Sequence, residues 1–497
     1  MRPHPSAPPQ TLLKETAAGV RRAGEAFALR LFRSAAVRVP AYKDFLRRNS
    51  IAPDRIRTAA DLQAVPPVDK KNYLTQYPLE KLCWDGTMAG KSFIYTATSG
   101  STGSPFYFPR DASLDRRSML MHELYLRTVS RGRVPSTLVI VSFGMGVWIG
   151  GVITYQAFKL LAERGYPVSI ITPGTNKKEI FEALARLAPK YEQVVLCGYP
   201  PFLKDVLDEA PSHGFDPARR PLKLLFAAEA FSESFREYVM ARAGAVEQCL
   251  DTANVYGSAD LGTMAMETPV SIALRRLAVQ DAALYAAIFP GTTKLPTLAQ
   301  FHPAVARFDE QDGQLLVTGD NALPLIRYAI GDHGGVRGYD ELLASAKAAR
   351  PDLSKALRAC GRWTLPLPFV YVYERADFSV KLYGAIIYAE HVRAGLQQPK
   401  LQGDVTGKFS METKRDERED EFLEVNVELR SKKSAAGGLR DRVRDAVVAA
   451  LREKNAEYRY LSDNLKDRVL PRVALWPYEH PEHFRPGGKQ QWIKKRK

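Results

Sequence analysis

Between Thr137 and Ala227 the chain repeats one alternation, and this restricts its fold more than any other feature. Thr137–Ser142, Pro167–Ile171, Gln193–Cys197 and Leu222–Ala227 are short apolar runs rich in β-branched residues, and each reads as a strand. Trp148–Glu163 and Phe202–Glu209 read as the helices between them. Asn176 with Glu179 makes a capping box, which opens a further helix bearing Ile180, Phe181, Leu184 and Leu187. Strands separated by helices pair in parallel through right-handed crossovers. The expected class is therefore α/β, with mixed, mostly parallel sheets and flanking helices. Thr137 to Phe158 imitates a membrane span in length and apolar character. Gly144, Gly146, Gly150 and Gly151 break it into a strand, a turn and a helix.

Ligands of such sheets bind beyond the carboxyl ends of the strands. Three segments fall there: Gly198-Tyr199-Pro200, Ala227-Ala228-Glu229-Ala230-Phe231 and Tyr256-Gly257-Ser258-Ala259-Asp260. Gln314–Thr318 and Leu325–Tyr328 read as further strands, and Pro324 to Asp332 (P-L-I-R-Y-A-I-G-D) ends on an Asp placed at a strand-turn. Such a carboxylate can accept both hydroxyls of a ribose, although a single Asp is more often an ordinary turn residue.

Earlier in the chain, Thr98 to Pro105 reads T-S-G-S-T-G-S-P between β-prone flanks. Two glycines allow a tight turn and close approach of the backbone to a ligand. Successive amides in such a loop make an anion-binding concavity, and the hydroxyls of Thr98, Ser99, Ser101 and Thr102 can donate to phosphate oxygens. Gly/Ser composition alone is more often a solvated loop. The P-loop of nucleotide hydrolases does not match, because Ser104 follows Gly103 where that motif needs Lys.

The 497 residues are 45% hydrophobic and 25% charged, a globular balance whose length calls for more than one domain. Met1 to Gln10 is polar and Pro-rich, without the apolar core of a signal peptide, so the expected place is the cytoplasm. Cys83, Cys197, Cys249 and Cys360 are far apart and suggest neither a zinc site nor a disulfide framework. The net charge of +16 suits polyphosphorylated small molecules, acidic membranes or nucleic acid. No aromatic-interleaved basic ribbon favours nucleic acid. Up to about Asn49 the chain is helical, with Leu29, Leu31 and Phe32 opposed to Arg30 and Arg33, and Ile56 to Tyr77 reads as a turn and a short helix. Asp111 is an N-cap for the helix that follows the Gly/Ser loop. After Glu374 the chain becomes charge-rich. Phe422–Leu429 alternates as an exposed strand and Leu439–Glu453 is an amphipathic helix, giving a small α+β domain.

Taken in order, these pieces resemble the adenylate-forming ligases, the acyl- and aryl-CoA ligase superfamily, in its phenylacetate–CoA ligase branch. The matching run is T-S-G-S-T-G-S-P, F-G-M-G-V-W-I-G-G, C-G-Y-P-P-F-L, A-A-E-A-F, V-Y-G-S-A-D-L-G, L-P-L-I-R-Y-A-I-G-D, R-A-D-F-S-V-K-L-Y-G and a late G-G-K, spread from about Asp61 to Lys489. The resemblance implies a large adenylation domain over residues 1–374 and a small mobile lid domain over 375–497. It implies that Thr98, Ser99, Gly100, Ser101, Thr102 and Gly103 grip the ATP phosphates. Ala228 and Glu229 would lie along the adenine. Tyr256 would stack on the base beside Gly257 and Ser258, and Asp260 would hold Mg²⁺. Asp332 would hold the ribose, with Arg375 nearby. Asp377 would be the hinge, and Lys489 the mobile lysine of the adenylation step.

Departures accompany these matches. Asp260 is one methylene shorter than the usual Glu, Ala259 replaces a hydroxyl residue, Glu374 breaks the usual Gly-Arg pair, and Ser104 stands where Lys is common. In this family the acid pocket lies between the central sheet and the helix after the glycine turn, which makes Phe143, Trp148, Tyr199 and Phe226 its candidates here, each equally suited to plain core. The implied reaction activates a carboxylic acid with ATP and Mg²⁺ as acyl-AMP and passes the acyl group to CoA. The alternative passes it to an amine or hydroxyl without CoA. The implied partners are small molecules, with no membrane span and with room for a homodimer.

Overall fold

The computed structural model describes residues 16–97, 106–245, 247–292, 295–303, 305–375, 379–435 and 438–484. It divides into two compact units. The first comprises residues 1–96, 107–198 and 206–376, and the second residues 97–106, 199–205 and 377–497.

The strands in chain order are β1 (Ile94–Ala97), β2 (Tyr107–Arg110), β3 (Thr137–Ser142), β4 (Val168–Ile171), β5 (Gln193–Gly198), β6 (Leu222–Ala227), β7 (Thr252–Ser258), β8 (Gly262–Met266), β9 (Thr297–Gln300), β10 (Arg307–Gln311), β11 (Gln314–Gly319), β12 (Leu325–Arg337), β13 (Phe369–Arg375), β14 (Ser379–Leu382), β15 (Ala385–Tyr388), β16 (Val405–Arg415), β17 (Glu421–Leu429) and β18 (Arg472–Trp476). β3 to β13 form one sheet in the order β10-β11-β12-β13-β9-β8-β7-β6-β5-β3-β4, and β1 pairs with β2 in a small sheet of their own.

The alternating stretch produces the parallel block β4-β3-β5-β6-β7. Every residue of β3 and β5 is buried, as continuous apolar runs must be when helices cover both faces. β4 stands at the edge and is only half-buried throughout. Beyond β7 the alternation stops, and every further pairing in the sheet is antiparallel. The stretch that imitates a membrane span is β3, a glycine turn and the helix Ile149–Glu163. A side chain at Gly151 would put its Cβ 2.5 Å from the Gly144 carbonyl oxygen, so the turn can fold back on the helix only because Gly stands there. Among the described residues no helix is long and apolar enough to cross a membrane.

Elsewhere the local signals hold with small changes. Asp111 caps the helix Ala112–Val129 by accepting from the amides of Ser113 and Leu114, both at 2.9 Å. Asn176 accepts from the Glu179 amide at the start of Lys177–Arg186. The helix Ala17–Arg38 buries Phe27, Leu31 and Phe32 and exposes Arg30 and Arg33. Ile56 to Tyr77 holds only short 3-10 turns instead of the expected helix.

In the second unit β16, β17 and β18 form a three-stranded sheet in that order. The strand expected to be exposed, Phe422–Leu429, is instead mostly buried. It is the central strand, flanked by β16 on one side and β18 on the other. The helix Leu439–Lys454 buries Val443, Val447 and Leu451.

β12 also differs from expectation. It does not end near Tyr328 but runs for 13 residues, and Asp332 lies inside it, opposite Arg375 of β13. The register slips between His333 and Gly334. A Cβ on Gly334 would stand 1.9 Å from the Tyr371 carbonyl oxygen. Gly334→Ala is therefore expected to cost about 1–3 kcal/mol by forcing β12 from β13. Gly403→Ala, where a Cβ meets nothing within 4 Å, serves as the control. A lowered melting midpoint for the first variant alone is the expected result, and equal midpoints contradict this packing.

Candidate active site

The segment leaving β6 carries the first candidates. Ala228 has φ +76°, a left-handed conformation that costs a non-glycine residue about 1–3 kcal/mol unless its surroundings enforce it. Several contacts hold those surroundings. Asn254 of β7 donates through Nδ2 to the Glu229 carbonyl at 2.9 Å. The Phe231 ring meets Phe226 edge-on at 5.1 Å. Arg275, from the helix Pro269–Gln280, donates to the Phe231 carbonyl and, at 2.6 Å, to that of Pro296. The Arg236 guanidinium lies 4.9 Å from the Phe231 ring centre. Both arginines are buried, and each pairs with Glu233. Arg236 also reaches Glu267 at 2.7 Å and the Thr252 hydroxyl at 2.8 Å.

Burial pushes the Glu233 carboxyl up, and the two arginines outweigh it and hold the group below the ordinary glutamate value. Sequence reasoning missed this network. Its only local signal is the Glu233/Arg236 spacing on one helix, and its other members join only in the folded chain.

Tyr256, in the last turn of β7, donates its hydroxyl to Asp332 Oδ2 at 2.6 Å. Its ring stacks on Phe308 with centres 5.8 Å apart. Asp332 is 5% exposed. Asp260 sits at the tip of the β7–β8 hairpin, where Ser258 pairs with Gly262. Two contacts fix that tip. The Thr96 hydroxyl donates to the Ala259 carbonyl at 3.0 Å, and Asn321 Nδ2 donates to the Asp260 carbonyl at 3.3 Å. Asn321 Oδ1 also accepts from the amides of Asp111 (3.3 Å) and Ala322 (2.8 Å). Fully buried Asn321 thus joins the hairpin tip to the helix cap, a role the sequence did not reveal. Thr96 stands in β1, two residues before Thr98 in the sequence, so β1 is tied to the hairpin that carries Asp260.

Glu229 thus follows β6, Tyr256 lies near the end of β7, Asp260 in the β7–β8 turn and Asp332 within β12, which the Tyr256 hydrogen bond ties to β7. A Cβ on Gly257 would lie 2.7 Å from the Gly262 carbonyl, and Ser258 Oγ accepts from the Leu261 amide at 3.3 Å, so both shape the hairpin. Phe143 and Phe226 are fully buried, while Trp148 and Tyr199 are half-buried. Arg375 is placed by its strand position alone. Thr98, Ser99, Gly100, Ser101, Thr102, Gly103, Asp377 and Lys489 lie outside the described residues.

Among the described residues no group of three or more His, Cys, Asp or Glu side chains could hold a metal ion. Asp260, the carboxylate that the resemblance assigns to Mg²⁺, is buried; Mg²⁺ is commonly held by one or two carboxylates together with substrate phosphates and water.

No family model matches the chain. Over 305 residues it is 25% identical to the phenylacetate–coenzyme A ligase of Aromatoleum evansii, a match covering 59% of this chain and 61% of that relative. The match thus spans about three fifths of the relative's length. In structure it is similar to a 2-hydroxyisobutyryl-CoA ligase in complex with 2-HIB-AMP and CoA in the thioesterification state, with a TM-score of 0.65 and 16% identity over 98% of this chain and 94% of that one. The chain has the fold of an adenylate-forming ligase. A second structure of the same ligase, in the postadenylation state with R3-HIB-AMP, gives a TM-score of 0.54 at 15% identity, covering 99% and 94%. The resemblance read from the motif order therefore stands in both sequence and fold.

Removing Arg275 leaves a buried glutamate with one partner fewer. Arg275→Met is expected to lose about 3 kcal/mol. Because the folded-state pKa of Glu233 is depressed, its stabilisation is complete above the ordinary value of 4.5 and is lost as pH falls through the folded value. The gap in melting midpoint between wild type and variant should be full at neutral pH and shrink below about 4.5. Equal midpoints at neutral pH contradict the network's role.

Proposed function

We propose that this chain is an AMP-forming carboxylate–CoA ligase. A carboxylate oxygen attacks the α-phosphorus of ATP, the bond to the β-phosphate breaks, and pyrophosphate leaves. The CoA thiol then attacks the acyl-AMP carbonyl, AMP leaves, and the thiol proton passes to solvent. A reaction that draws on ATP and CoA fits the cytoplasm.

The observation that carries this reading is the hydrogen bond from half-buried Tyr256 to buried Asp332, which joins β7 to β12. A carboxylate has about four acceptor positions. The Tyr256 hydroxyl on Oδ2 orients the carboxylate that would receive the ribose hydroxyls. The segment around Ala228 and Glu229 is held rigid enough to present an edge to adenine. Most of these residues bind and orient, which suits a reaction whose main difficulty is bringing two anions together. Mg²⁺ on Asp260, when bound, offsets phosphate charge. Thr98 to Gly103 would supply amides and hydroxyls to the phosphates. Lys489 would neutralise charge on the reacting group, swinging with residues 375–497 about Asp377. The acid would extend toward Phe143, Trp148, Tyr199 and Phe226.

Carboxylate-dependent ATP–pyrophosphate exchange tests the reading, with an acid panel of aryl and aliphatic members. Exchange with at least one acid is expected, and none across the panel contradicts it. AMP release that requires CoA supports the thioester, whereas release sustained by amines without CoA supports the amide- or ester-forming alternative. Lys489→Ala should lower exchange about 100-fold while leaving nucleotide affinity nearly unchanged. Wild-type exchange in that variant removes the lysine's role. Tyr256→Phe should weaken ATP binding by about 1 kcal/mol, roughly fivefold, through the lost hydrogen bond. Calorimetric titration with ATP checks this, and unchanged affinity removes Tyr256 from the site.

A further inference from the structure

A cleft of about 630 Å³ opens in the first unit, bounded by the helix Ala17–Arg38, residues 84–93, the start of the helix Ala112–Val129 and the turn 320–322. Its size is that of a small-molecule site. No candidate residue for the nucleotide lines it.

Its charges do not balance. Asp85 is held by Arg38 through two 2.8 Å contacts and faces Lys91 at 3.8 Å. Asp320 is met by Arg117 at 3.4 Å. Asp111 accepts from two helix amides. Arg30 and Arg116 also line the cleft, both exposed, and neither forms an ion pair among the described residues. Arg30, Arg38, Lys91 and Arg116 line the cleft against the carboxylates of Asp85, Asp111 and Asp320, a surplus of one positive charge. It also presents three aromatic rings, Phe27, Trp84 and Phe93. The Arg38 guanidinium lies 5.0 Å from the Trp84 ring and that of Arg30 lies 5.9 Å from the Phe27 ring. Trp84 is fixed by its indole N–H donating to the Asn321 carbonyl at 2.9 Å.

We propose that this cleft binds an aromatic phosphate monoester, the class that includes nucleoside monophosphates, separately from the adenylation site. The phosphate suits the positive surplus and the planar donor forks of Arg30 and Arg116. The ring packs among Trp84, Phe27 and Phe93, where stacking is favourable for any planar base or aryl group.

Calorimetric titration of the full chain with phenyl phosphate tests this. Saturable one-site binding is expected, quenching Trp84 fluorescence, with the quench lost in Trp84→Phe. The double variant Arg30→Ala/Arg116→Ala should bind at least tenfold more weakly while its KM for ATP stays unchanged. Phenol and inorganic phosphate, each lacking one half of the ligand, should also bind at least tenfold more weakly. Absence of saturable binding overturns the proposal, as does undiminished binding by the double variant. Displacement of phenyl phosphate by ATP in direct competition would assign the binding to the nucleotide site and overturn it equally. Arg30 and Arg116 are exposed, so the variants test recognition and not folding.

Discussion

The arrangement depends on one constraint: parallel strands deliver their carboxyl ends to the same edge of the sheet. In the block β4-β3-β5-β6-β7 the chain must leave each strand at that edge. Polar and aromatic residues that directly follow β6 and β7 therefore arrive side by side without any local signal linking them. The change to antiparallel pairing at β7–β8 then returns the chain at once, and the turn it makes carries Asp260. β12 reaches the same neighbourhood from the antiparallel half, and the Tyr256–Asp332 hydrogen bond joins the halves.

Such an edge needs rigidity, because the backbone there no longer pairs in a ladder. The Arg236, Glu233, Arg275 and Glu267 cluster supplies it below Phe231. Buried ions of this kind contribute little net stability when complete but cost much when broken. Their effect here is to fix geometry, which agrees with Ala228 being held at φ +76°. Asn321 does the same for the Asp260 turn with neutral hydrogen bonds to three backbone groups.

Much of this was legible in the chain itself. The limits of β3 and β6 and the caps at Asp111 and Asn176 follow from short-range patterning, which the fold leaves undisturbed. The nucleotide candidates followed from their place after apolar strands. What could not be read is what depends on distant partners. Asn321 and Arg275 are single polar residues whose contacts lie far off in the sequence. Leu325–Tyr328 alone reads as strand, whereas β12 runs on to Arg337, where Gly334 and Gly335 make room for Tyr371 beside a bulge. The alternation of Phe422–Leu429 suggests one wet face, but as the central strand between β16 and β18 it is mostly buried.

The most direct measurement is a crystal structure of the chain with AMP bound. The account predicts the ribose hydroxyls within hydrogen-bonding distance of the Asp332 carboxylate and the adenine against Ala228 to Phe231. AMP bound with its ribose away from Asp332 and its base away from that segment would contradict it.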